Sequence, residues 1–470
     1  MKTTFEADIL LAIRRDSAAP LRLQLERELR AAIRSGRLTS GFSLPSTRSL
    51  ATTLGLSRGV VVEAYEQLTV EGYLTTLVGS GTRVAAVGAF SHRDSTLASE
   101  KPWPRFDFRP GMPDLDFFPR REWLACMRRA LTSASRASLG YPNPFGPPST
   151  RDALARYLAR SRATVGDLQS VVLCNGFTQG IDLVARLLRE RGIGSVAIED
   201  PGFGGLVQLF RSLGIATPRI AVDERGLIVE RLDRSAATAV VVTPAHQFPS
   251  GAAMAPERRA ELLAWARSKE ALIIEDDYDA EFRYDRAPIG ALQGLAPNHV
   301  IYIGTTSKTL SPALRLGWLL TPPALAPDLA LIKSRADRGS PTLEQLALAD
   351  FIGAGEMDRH LKKMRGIYRS RRDAVIAAIH AHLPESNVHG VAAGLHMMVT
   401  IPSHCDERTL VSSARNESIR IWGVSPYHSR PAGKHPALVM GYGGLQDSSI
   451  AEGVWRLAQL VAKQSGTRSA

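Results

Sequence analysis

From residue 107 onward, short apolar runs alternate with longer amphipathic segments. The apolar runs span residues 171–174, 195–199, 239–243, 272–276 and 300–304. Segments with helical periodicity lie between them, for example 181–191 and 257–268. This alternation predicts an α/β fold class with a mostly parallel sheet, in which ligands bind at the carboxyl ends of the strands. We therefore expect the functional residues at those ends.

Lys308 follows the last apolar run after a Thr-Thr-Ser stretch. Partial burial would lower the pKa of its amine and make it a nucleophile toward an aldehyde. The hydroxyls of Thr305 and Ser307 and the guanidinium of Arg315 are donors that suit a phosphate dianion. An isolated Ser-Lys pair is more often a solvated surface feature. The whole segment 301–318, however, resembles the cofactor-lysine motif of the fold-type-I pyridoxal 5'-phosphate (PLP) enzymes, the aspartate aminotransferase superfamily. The resemblance implies that Lys308 is the catalytic lysine and holds PLP as an internal aldimine.

Two other strand ends carry residues that suit a phosphorylated aromatic ligand. The run 171–174 leads through Asn-Gly-Phe-Thr into a helical segment, and a glycine-bearing helix N-terminus binds anions through backbone N–H groups. We expect Gly176, Phe177 and Thr178 to contact the phosphate there. Phe203 follows the run 195–199, where a core phenylalanine would be the ordinary interpretation. The resemblance implies instead that its ring stacks on the cofactor.

The acidic stretch that begins at the end of the run 272–276 supplies the expected partner of the cofactor ring. A buried carboxylate beside a pyridine nitrogen keeps that nitrogen protonated, which makes the ring an electron sink. The resemblance implies this role for Asp276 and a hydrogen bond from Tyr278 to the 3-oxygen of the ring. We expect Asp277, Asp279 and Glu281 to form a solvated acidic loop.

The chain departs from transaminases at the loop that contacts the ring oxygen. Transaminases usually carry Asn-Pro there, whereas this chain has Phe248 before the proline. His246 or Gln247 would therefore have to supply the contact.

A second departure concerns the substrate carboxylate, which transaminases bind with an arginine near the C-terminus. The corresponding stretch, residues 435–443, contains no arginine, although Arg430 and Lys434 lie just upstream. Loss of that clamp would remove about 1.5–3 kcal/mol per charged hydrogen bond. We therefore expect binding of PLP, or of an amine that lacks a carboxylate, rather than tight amino-acid turnover.

The segment 140–146, with Arg151 beyond it, resembles the superfamily segment in which a tyrosine reaches the phosphate of the partner subunit. The resemblance gives that role to Tyr141. It implies a homodimer with shared sites.

The first eighty-five residues predict a helix-turn-helix followed by a β-wing. An amphipathic helix covers residues 20–36, Ser46 caps a second helix over 47–54, and Ser57 caps a third that ends near Glu71. Gly55 separates the last two helices, and residues 72–84 predict two short strands. A small helical domain that only packs against another surface is the alternative, and residues 1–85 hold 11 Lys+Arg against 8 Asp+Glu.

The order and spacing of these motifs over residues 19–84 are similar to the winged helix of the GntR regulators. That resemblance implies that the start of the third helix contacts base edges in the major groove, while the second helix and the wing contact phosphates. Two such domains in a dimer would bind an operator with two half-sites. The predicted DNA contacts are Pro45, Ser46, Arg48, Ser57, Arg58, Gly59, Ser80, Gly81 and Thr82.

Taken together, the two halves resemble the MocR subgroup of the GntR transcriptional regulators. The resemblance predicts a winged helix-turn-helix domain over residues 1–85, a linker over 86–106 and an aminotransferase-like PLP-binding domain over 107–470, with a small subdomain at about 375–465. It implies a PLP-dependent regulator that senses PLP or an aldimine of PLP with an amine. The alternatives are an active aminotransferase with an accessory DNA-binding domain, and a regulator whose large domain only dimerises.

Composition is consistent with this hypothesis. The formal net charge of +12 suits a polyanionic partner, and no apolar run approaches the length of a membrane span. The three cysteines lie far apart, without metal-site spacing, so we expect a reducing cytoplasm and no metal.

Overall fold

The computed structural model describes residues 11–77, 81–86, 104–284, 289–390, 393–429 and 436–466. The chain divides into two compact units, Met1–Pro102 and Trp103–Ala470. Within the described ranges, no helix combines the length and the apolar character needed to cross a membrane.

The first unit contains three helices, α1 (Leu21–Arg34), α2 (Thr47–Leu54) and α3 (Arg58–Val70), and an antiparallel pair, β1 (Leu74–Leu77) and β2 (Gly81–Val84). The Ser46 hydroxyl accepts the backbone N–H of Ser49, and the Ser57 hydroxyl accepts that of Val60. Gly55 ends α2 at φ 63°, a left-handed conformation that glycine adopts without strain. These caps confirm the predicted starts of α2 and α3.

The core of this unit is formed by one apolar face of each helix together with the first residues of the hairpin. Leu25, Leu29, Val61, Leu68 and Leu74 are fully buried at this junction. Their packing leaves the opposite face of α3 toward solvent.

The second unit is built from helices and strands in alternation, and its strands from β4 to β11 form a large sheet. The elements up to β11 come first in the chain. They are β3 (Phe106–Asp107), α4 (Arg120–Ser133), α5 (Pro148–Arg162), β4 (Val171–Cys174), α6 (Phe177–Glu190), β5 (Val196–Asp200), α7 (Gly205–Ser212), β6 (Arg219–Asp223), β7 (Gly226–Leu227), α8 (Val229–Asp233), β8 (Ala239–Val242), α9 (Pro256–Ser268), β9 (Leu272–Asp277), β10 (Val300–Thr305) and β11 (Gly317–Leu320).

The large sheet has the strand order β4-β11-β10-β9-β8-β5-β6-β7. The pairs β10–β9, β9–β8, β8–β5 and β5–β6 are parallel. Strand β11 runs antiparallel to both of its neighbours, β4 and β10. The predicted runs coincide with β4, β5, β8, β9 and β10 to within a residue at each end. Because β4, β5, β8, β9 and β10 point the same way, the segments that follow them meet at one edge of the sheet.

The remaining elements include a smaller sheet and its helices, which are called the small subdomain below, and two helices, residues 326–337 and 342–353, that pack against α6 and against α4 and α5, respectively. They are α10 (Ala326–Asp337), α11 (Thr342–Gly353), α12 (Glu356–His382), β12 (Val388–His389), β13 (His396–Thr400), α13 (Glu407–Asn416), β14 (Ile419–Arg420), β15 (Trp422–Gly423), β16 (Ala437–Gly441) and α14 (Asp447–Gly466). Strands β12, β13, β16 and β15 form an antiparallel sheet, and β14 pairs in parallel with β3. The β3–β14 pair brings the segment that follows β3 to the small sheet.

Candidate cofactor site

A cavity of about 480 Å³ opens where the carboxyl ends of the large sheet face the small subdomain. The strand-end segments of the large sheet contribute Phe177, Thr178, Glu199, Phe203, Thr243, Asp276, Tyr278, Thr305, Ser307, Lys308 and Arg315 to its wall. The segment after β3 and the small subdomain contribute Arg109, Gly111, His396, Trp422 and Tyr427. The cavity therefore collects most of the residues that the sequence singled out.

Lys308 lies just past the end of β10 and lines the cavity. Burial lowers the pKa of its amine, and the positive charge of Arg109 lowers it further, whereas Asp279 and Asp276 act in the opposite direction. A lysine in such surroundings is neutral more often than one in water, and the neutral amine is the nucleophilic form.

The end of the cavity at the N-terminus of α6 has the groups of an anion-binding site. Gly176 precedes α6 at φ 81° and leaves room for the Arg315 guanidinium, which would lie 3.3 Å from a Cβ at this position. Arg315 Nη2 donates to the carbonyl oxygen of Asn175 at 2.6 Å. The Thr305 and Ser307 hydroxyl oxygens lie 2.9 Å apart at the end of β10. Backbone N–H groups, hydroxyls and a guanidinium thus lie around one end of the cavity, as a phosphate requires.

Asp276, on β9, also lines the cavity and has an orphaned oxygen. Its Oδ1 is buried and has no hydrogen-bond partner among the described residues. Burial, followed by the nearby carboxylates of Asp277 and Asp279, raises the pKa of Asp276 well above its usual range. A protonated ring nitrogen would satisfy this oxygen and restore the carboxylate charge. The residues present therefore fit PLP, with its phosphate at the Gly176 end and its ring nitrogen at Asp276.

Tyr278 and His246 form a layer beneath the cavity. The Tyr278 hydroxyl donates to the His246 carbonyl oxygen at 2.9 Å, and His246 Nδ1 lies 3.0 Å from Asp279 Oδ2. The His246 side chain is buried and is not part of the cavity wall. Of these two residues, Tyr278 is therefore the one that lines the cavity. Gln247 is equally buried, and its amide nitrogen donates to the Pro201 and Phe248 carbonyl oxygens.

The prediction of a solvated acidic loop was wrong. Asp277 is buried against Arg162, whose Nε lies 2.6 Å from Asp277 Oδ2. Asp279 is 1% exposed and pairs with His246, and Glu281 accepts a hydrogen bond from the Tyr157 hydroxyl. Sequence proximity to Asp276 suggested one acidic surface, but each carboxylate has a partner that comes from a distant segment.

Two predicted site residues are exposed. Phe203 lines the cavity with half of its surface accessible, so its ring is open to a ligand. Tyr141 is 85% exposed, away from the cavity of its own chain, with the Arg338 guanidinium 5.6 Å from its ring centroid. Arg430 and Lys434 lie outside the described residues.

The cavity wall also contains residues that were not predicted from the sequence, among them Arg109, Glu199 and His396. Burial raises the pKa of Glu199 to about 7, and its Oε2 accepts the Thr243 hydroxyl at 2.6 Å. His396 is fully buried, 4.7 Å from His246 between ring centroids. The Glu199-Asp-Pro segment at a strand end was the available signal for Glu199. Placing Arg109 and His396 in the wall required knowledge of which strands pair with β3 and β13.

The predicted DNA contacts lie in the first unit. Ser57, Arg58 and Gly59 are exposed at the N-terminus of α3, and Ser46 and Arg48 are exposed at that of α2. Pro45 is half-buried, and its carbonyl oxygen accepts the Tyr65 hydroxyl. Gly81 and Thr82 begin β2, and Ser80 lies outside the described residues.

Comparison with known families matches both units. The family described as aminotransferase class I and II matches residues 114–433, and the family of bacterial regulatory proteins, gntR family, matches residues 21–84. Both matches agree with the two compact units of the chain.

Curated relatives share both halves. The probable rhizopine catabolism regulatory protein MocR of Rhizobium meliloti is 32% identical, over 97% of this chain and 97% of the relative. The HTH-type pyridoxine biosynthesis transcriptional regulator PdxR of Corynebacterium glutamicum is 31% identical, over 97% of this chain and 98% of the relative.

Solved structures similar to this chain include a multiple substrate aminotransferase from Thermococcus profundus, with a TM-score of 0.71 and 23% identity over 80% of this chain and 98% of that one. A kynurenine aminotransferase from Pyrococcus horikoshii gives a TM-score of 0.70 and 22% identity over 77% and 91%. At these identities the likeness confirms the fold.

Proposed function

Because this chain belongs to the MocR-type GntR transcriptional regulators, which join a winged helix to an aminotransferase-like domain, we propose that it regulates transcription in response to PLP, or to an amine that reacts with PLP. The proposed limits of its parts are residues 1–85 for the DNA-binding domain, 86–106 for the linker and 107–470 for the PLP-binding domain. Within the last, the small subdomain would occupy about 375–465.

The observation that carries the proposal is that three features meet at one cavity: an anion site at Gly176 and Arg315, the amine of Lys308, and the orphaned oxygen of Asp276. PLP, when bound, supplies an aldehyde that reacts reversibly with primary amines and a ring that withdraws electrons. The amine of Lys308 would bind the aldehyde carbon. The carboxylate of Asp276 would accept a hydrogen bond from the protonated ring nitrogen.

The other cavity residues would orient the ring. Phe203 would cover one face. The Tyr278 hydroxyl, whose proton is donated to the His246 carbonyl oxygen, would turn that proton to the 3-oxygen when PLP is bound. Phe177, Thr178, Thr305 and Ser307 would complete the phosphate contacts. Because the pKa of Tyr278 is raised by burial, its hydroxyl remains a hydrogen-bond donor over the working pH range.

An exposed apolar surface supports a homodimer. Leu124 and Leu131 lie two turns apart on the outer face of α4 and are 68% and 58% exposed. Leu139 and Tyr141 follow and are 61% and 85% exposed. A second copy of the chain would cover this surface, and Tyr141 would then reach the partner's phosphate site. Two DNA-binding domains per dimer would contact two half-sites.

The ligand can regulate DNA binding only through unequal affinity for two conformations of the protein. The cavity has walls from both the large sheet and the small subdomain, so closure of one on the other would change ligand contacts. Occupancy by PLP, or displacement of Lys308 by an amine, would bias that closure.

The test is to reconstitute the purified full-length protein with PLP, reduce it with borohydride and map the labelled lysine by mass spectrometry. We expect the label on Lys308, and Lys308→Ala should remove it while Lys269→Ala, an exposed lysine after α9, should not. A label elsewhere, or no yellow chromophore with added PLP, would refute the proposed cofactor role. An operator-binding titration with and without PLP then tests regulation.

An active aminotransferase is the competing function, because the fold and the Lys308 surroundings would also serve catalysis. Incubation with PLP and amino acids, followed by measurement of keto acids, separates the two. Sustained turnover at rates of about 1 per second or more, ordinary for enzymes, would favour catalysis.

A further inference from the structure

We propose that His246, Asp279 and His396 form a binding site for a transition-metal ion of the Zn²⁺ class, which would join the small subdomain to the large sheet. This inference goes beyond the proposed function and does not depend on PLP. It replaces the expectation, drawn from the spacing of the three cysteines, that the chain binds no metal. Cysteine spacing carries no information about a site made of imidazole and carboxylate groups.

The three side chains come together from separate segments of the chain. His246 follows β8, Asp279 follows β9, and His396 is the first residue of β13. Each is at most 2% exposed. One nitrogen or oxygen of each lies within 4.8 Å of those of the other two, and among the described residues theirs is the group of histidine, cysteine and carboxylate side chains with this spacing.

This spacing is close to that of a metal site. A tetrahedral zinc ion holds its ligand atoms at about 2.0–2.2 Å from itself, and therefore roughly 3.3 Å from one another. The ligand atoms that lie farthest apart here would have to approach by no more than about 1.5 Å. Rotation of buried side chains by that amount requires no change in the strands that carry them.

The pair of His246 and Asp279 already has the length of one edge of such a site. His246 Nδ1 lies 3.0 Å from Asp279 Oδ2 and 3.1 Å from Oδ1. Asp279 Oδ2 also accepts the backbone N–H of Leu395 at 3.2 Å, which holds the carboxylate beside β13. His246 Nε2 makes no hydrogen bond with a described residue, so the ring can carry its remaining proton there when Nδ1 binds an ion.

His396 is the residue that points most directly to a ligand. Its side chain is fully buried, yet neither ring nitrogen makes a well-aligned hydrogen bond with a described residue. Burial lowers the pKa of His396 well below its usual range, against the opposing effect of the Pro249 carbonyl group. The imidazole is therefore neutral, the form that binds metal ions. Its ring centroid lies 4.7 Å from that of His246, and two imidazoles on one tetrahedral ion have centroids about 5 Å apart.

The chain that leads to His396 passes directly beside the other two ligands. Gly394 has φ 78°, and a Cβ there would lie 2.2 Å from His246 Nδ1 and 2.4 Å from Asp279 Oδ2. A glycine is therefore required for this approach. His396 itself lies in the cavity wall, which gives an ion a path to the site. An ion bound to all three residues would hold β13 against the segments that follow β8 and β9.

Two imidazoles and one carboxylate determine the class of metal. Imidazole nitrogen suits Zn²⁺ and other late first-row divalent ions, whereas Mg²⁺ and Ca²⁺ prefer sites built from oxygen. Three protein ligands leave a fourth position for water or for a group in the cavity. Lys308 acts electrostatically on His396, and the lowered pKa of its amine reduces the repulsion that a cation would meet there.

The experiment titrates the full-length protein with ZnCl₂ by calorimetry and measures the denaturation midpoint in parallel, without added PLP, so that the cofactor cannot itself bind the metal. We expect one Zn²⁺ per chain and a higher midpoint, because an ion that binds only the folded state stabilises it. MgCl₂ at the same concentration should do neither. Co²⁺ in place of Zn²⁺ should give an absorption spectrum of nitrogen and oxygen ligands, without the charge-transfer band of a thiolate.

Two substitutions remove a ligand and keep the volume of the side chain. His396→Phe removes both ring nitrogens, and Asp279→Asn replaces the carboxylate with an amide. Each should weaken Zn²⁺ binding by at least about 10-fold. His380→Ala removes an imidazole from an exposed position in the last turn of α12, and it should bind Zn²⁺ as the unaltered protein does. If His396→Phe impairs folding, Asp279→Asn and the Co²⁺ spectrum of the unaltered protein still decide.

The outcomes separate this inference from the proposed function. Absence of Zn²⁺ binding, an affinity unchanged in either ligand variant, or a thiolate band in the Co²⁺ spectrum overturns the site. Weakened binding in both ligand variants, with His380→Ala unaffected, supports it. Because the titration contains no PLP, each of these results leaves the labelling of Lys308 by PLP to be decided on its own.

Discussion

Arg315 Nη2 and the carbonyl oxygen of Asn175 lie 2.6 Å apart and join the loop after β10 to the loop before α6. The two loops are distant in sequence, yet their contact assembles the anion end of the cavity. Arg315 itself has φ 51°, a left-handed conformation that costs a non-glycine residue about 1–2 kcal/mol and is retained here beside a functional site.

Arg315→Ala should therefore weaken PLP more than it weakens the fold. We expect the dissociation constant for PLP to rise at least about 10-fold, as a charge-assisted contact to the phosphate is lost. Fluorescence or absorbance titration of the apoprotein measures it. Arg267→Ala is the matched control, because Arg267 also donates to a backbone carbonyl group, that of Leu295, but away from the cavity. Equal PLP affinity in the two variants would contradict the phosphate assignment.

Asp276→Asn should separate binding from reactivity. The amide has nearly the shape of the carboxyl group but cannot stabilise a proton on the ring nitrogen. We expect PLP to remain bound, with the reaction of amines slowed by about 10-fold or more, since each 1.4 kcal/mol of lost stabilisation is a factor of about ten. Stopped-flow absorbance with an added amine measures the rate. An unchanged rate would show that Asp276 does not serve the ring nitrogen.

The strands were predictable to within a residue, whereas the environment of each carboxylate was not. The runs that became β4, β8, β9 and β10 are rich in Val, Ile and Leu, and that local signal marks a buried strand. Whether Asp277 is solvated depends on Arg162, which is 115 positions away in the chain. No local pattern carries that information.

Other differences show where more could have been predicted. The small subdomain was predicted from about residue 375, but α12, the helix that leads into it, begins at Glu356. The buried Met357, Leu361, Met364 and Tyr368 already have helical spacing in the sequence. Arg109 could not have been placed in this way, because its position depends on β3 pairing with β14, a contact between the two ends of the unit.

Glu199 should make the stability of the apoprotein depend on pH. Burial raises its pKa in the folded state to about 7, from an ordinary value of 4.5. Between these values the folded protein binds more protons than the unfolded chain, so the free energy of unfolding falls as pH rises through this window. Glu199→Gln removes this pH dependence. The free energy of unfolding of the variant, relative to that of the unaltered protein, should therefore increase by about 2–3 kcal/mol from about pH 5 to about pH 8.

Chemical denaturation of the apoprotein at both pH values measures this difference. Glu261→Gln, on the exposed side of α9, serves as the control and should track the unaltered protein at both. A constant gap between Glu199→Gln and the unaltered protein would mean that Glu199 is ionised in the fold throughout.

Arg58→Ala should weaken specific DNA binding without affecting the cofactor. Arg58 is the first residue of α3 and is exposed, with the Ser57 cap before it, so its loss removes a contact to DNA rather than a contact within the fold. We expect operator affinity to fall by about 1–3 kcal/mol, or roughly 5- to 150-fold, with PLP content unchanged. Arg27→Ala, at an exposed position of α1, is the control of equal charge.

Two glycines of the second unit should respond to alanine in opposite directions. Gly394 has φ 78°, and a Cβ there would lie 2.0 Å from His246 Cε1 and 2.4 Å from Asp279 Oδ2. Gly394→Ala should therefore separate the buried pair that fixes Tyr278, and it should destabilise the protein by about 2–4 kcal/mol. Gly366 lies within α12 with open space around its Cα, so Gly366→Ala should instead stabilise by about 0.5–1 kcal/mol. Denaturation midpoints and PLP affinity, measured on both variants, test these expectations. Equal midpoints in the two variants, or an undiminished PLP affinity in Gly394→Ala, would show that the His246–Asp279 contact does not support the cavity.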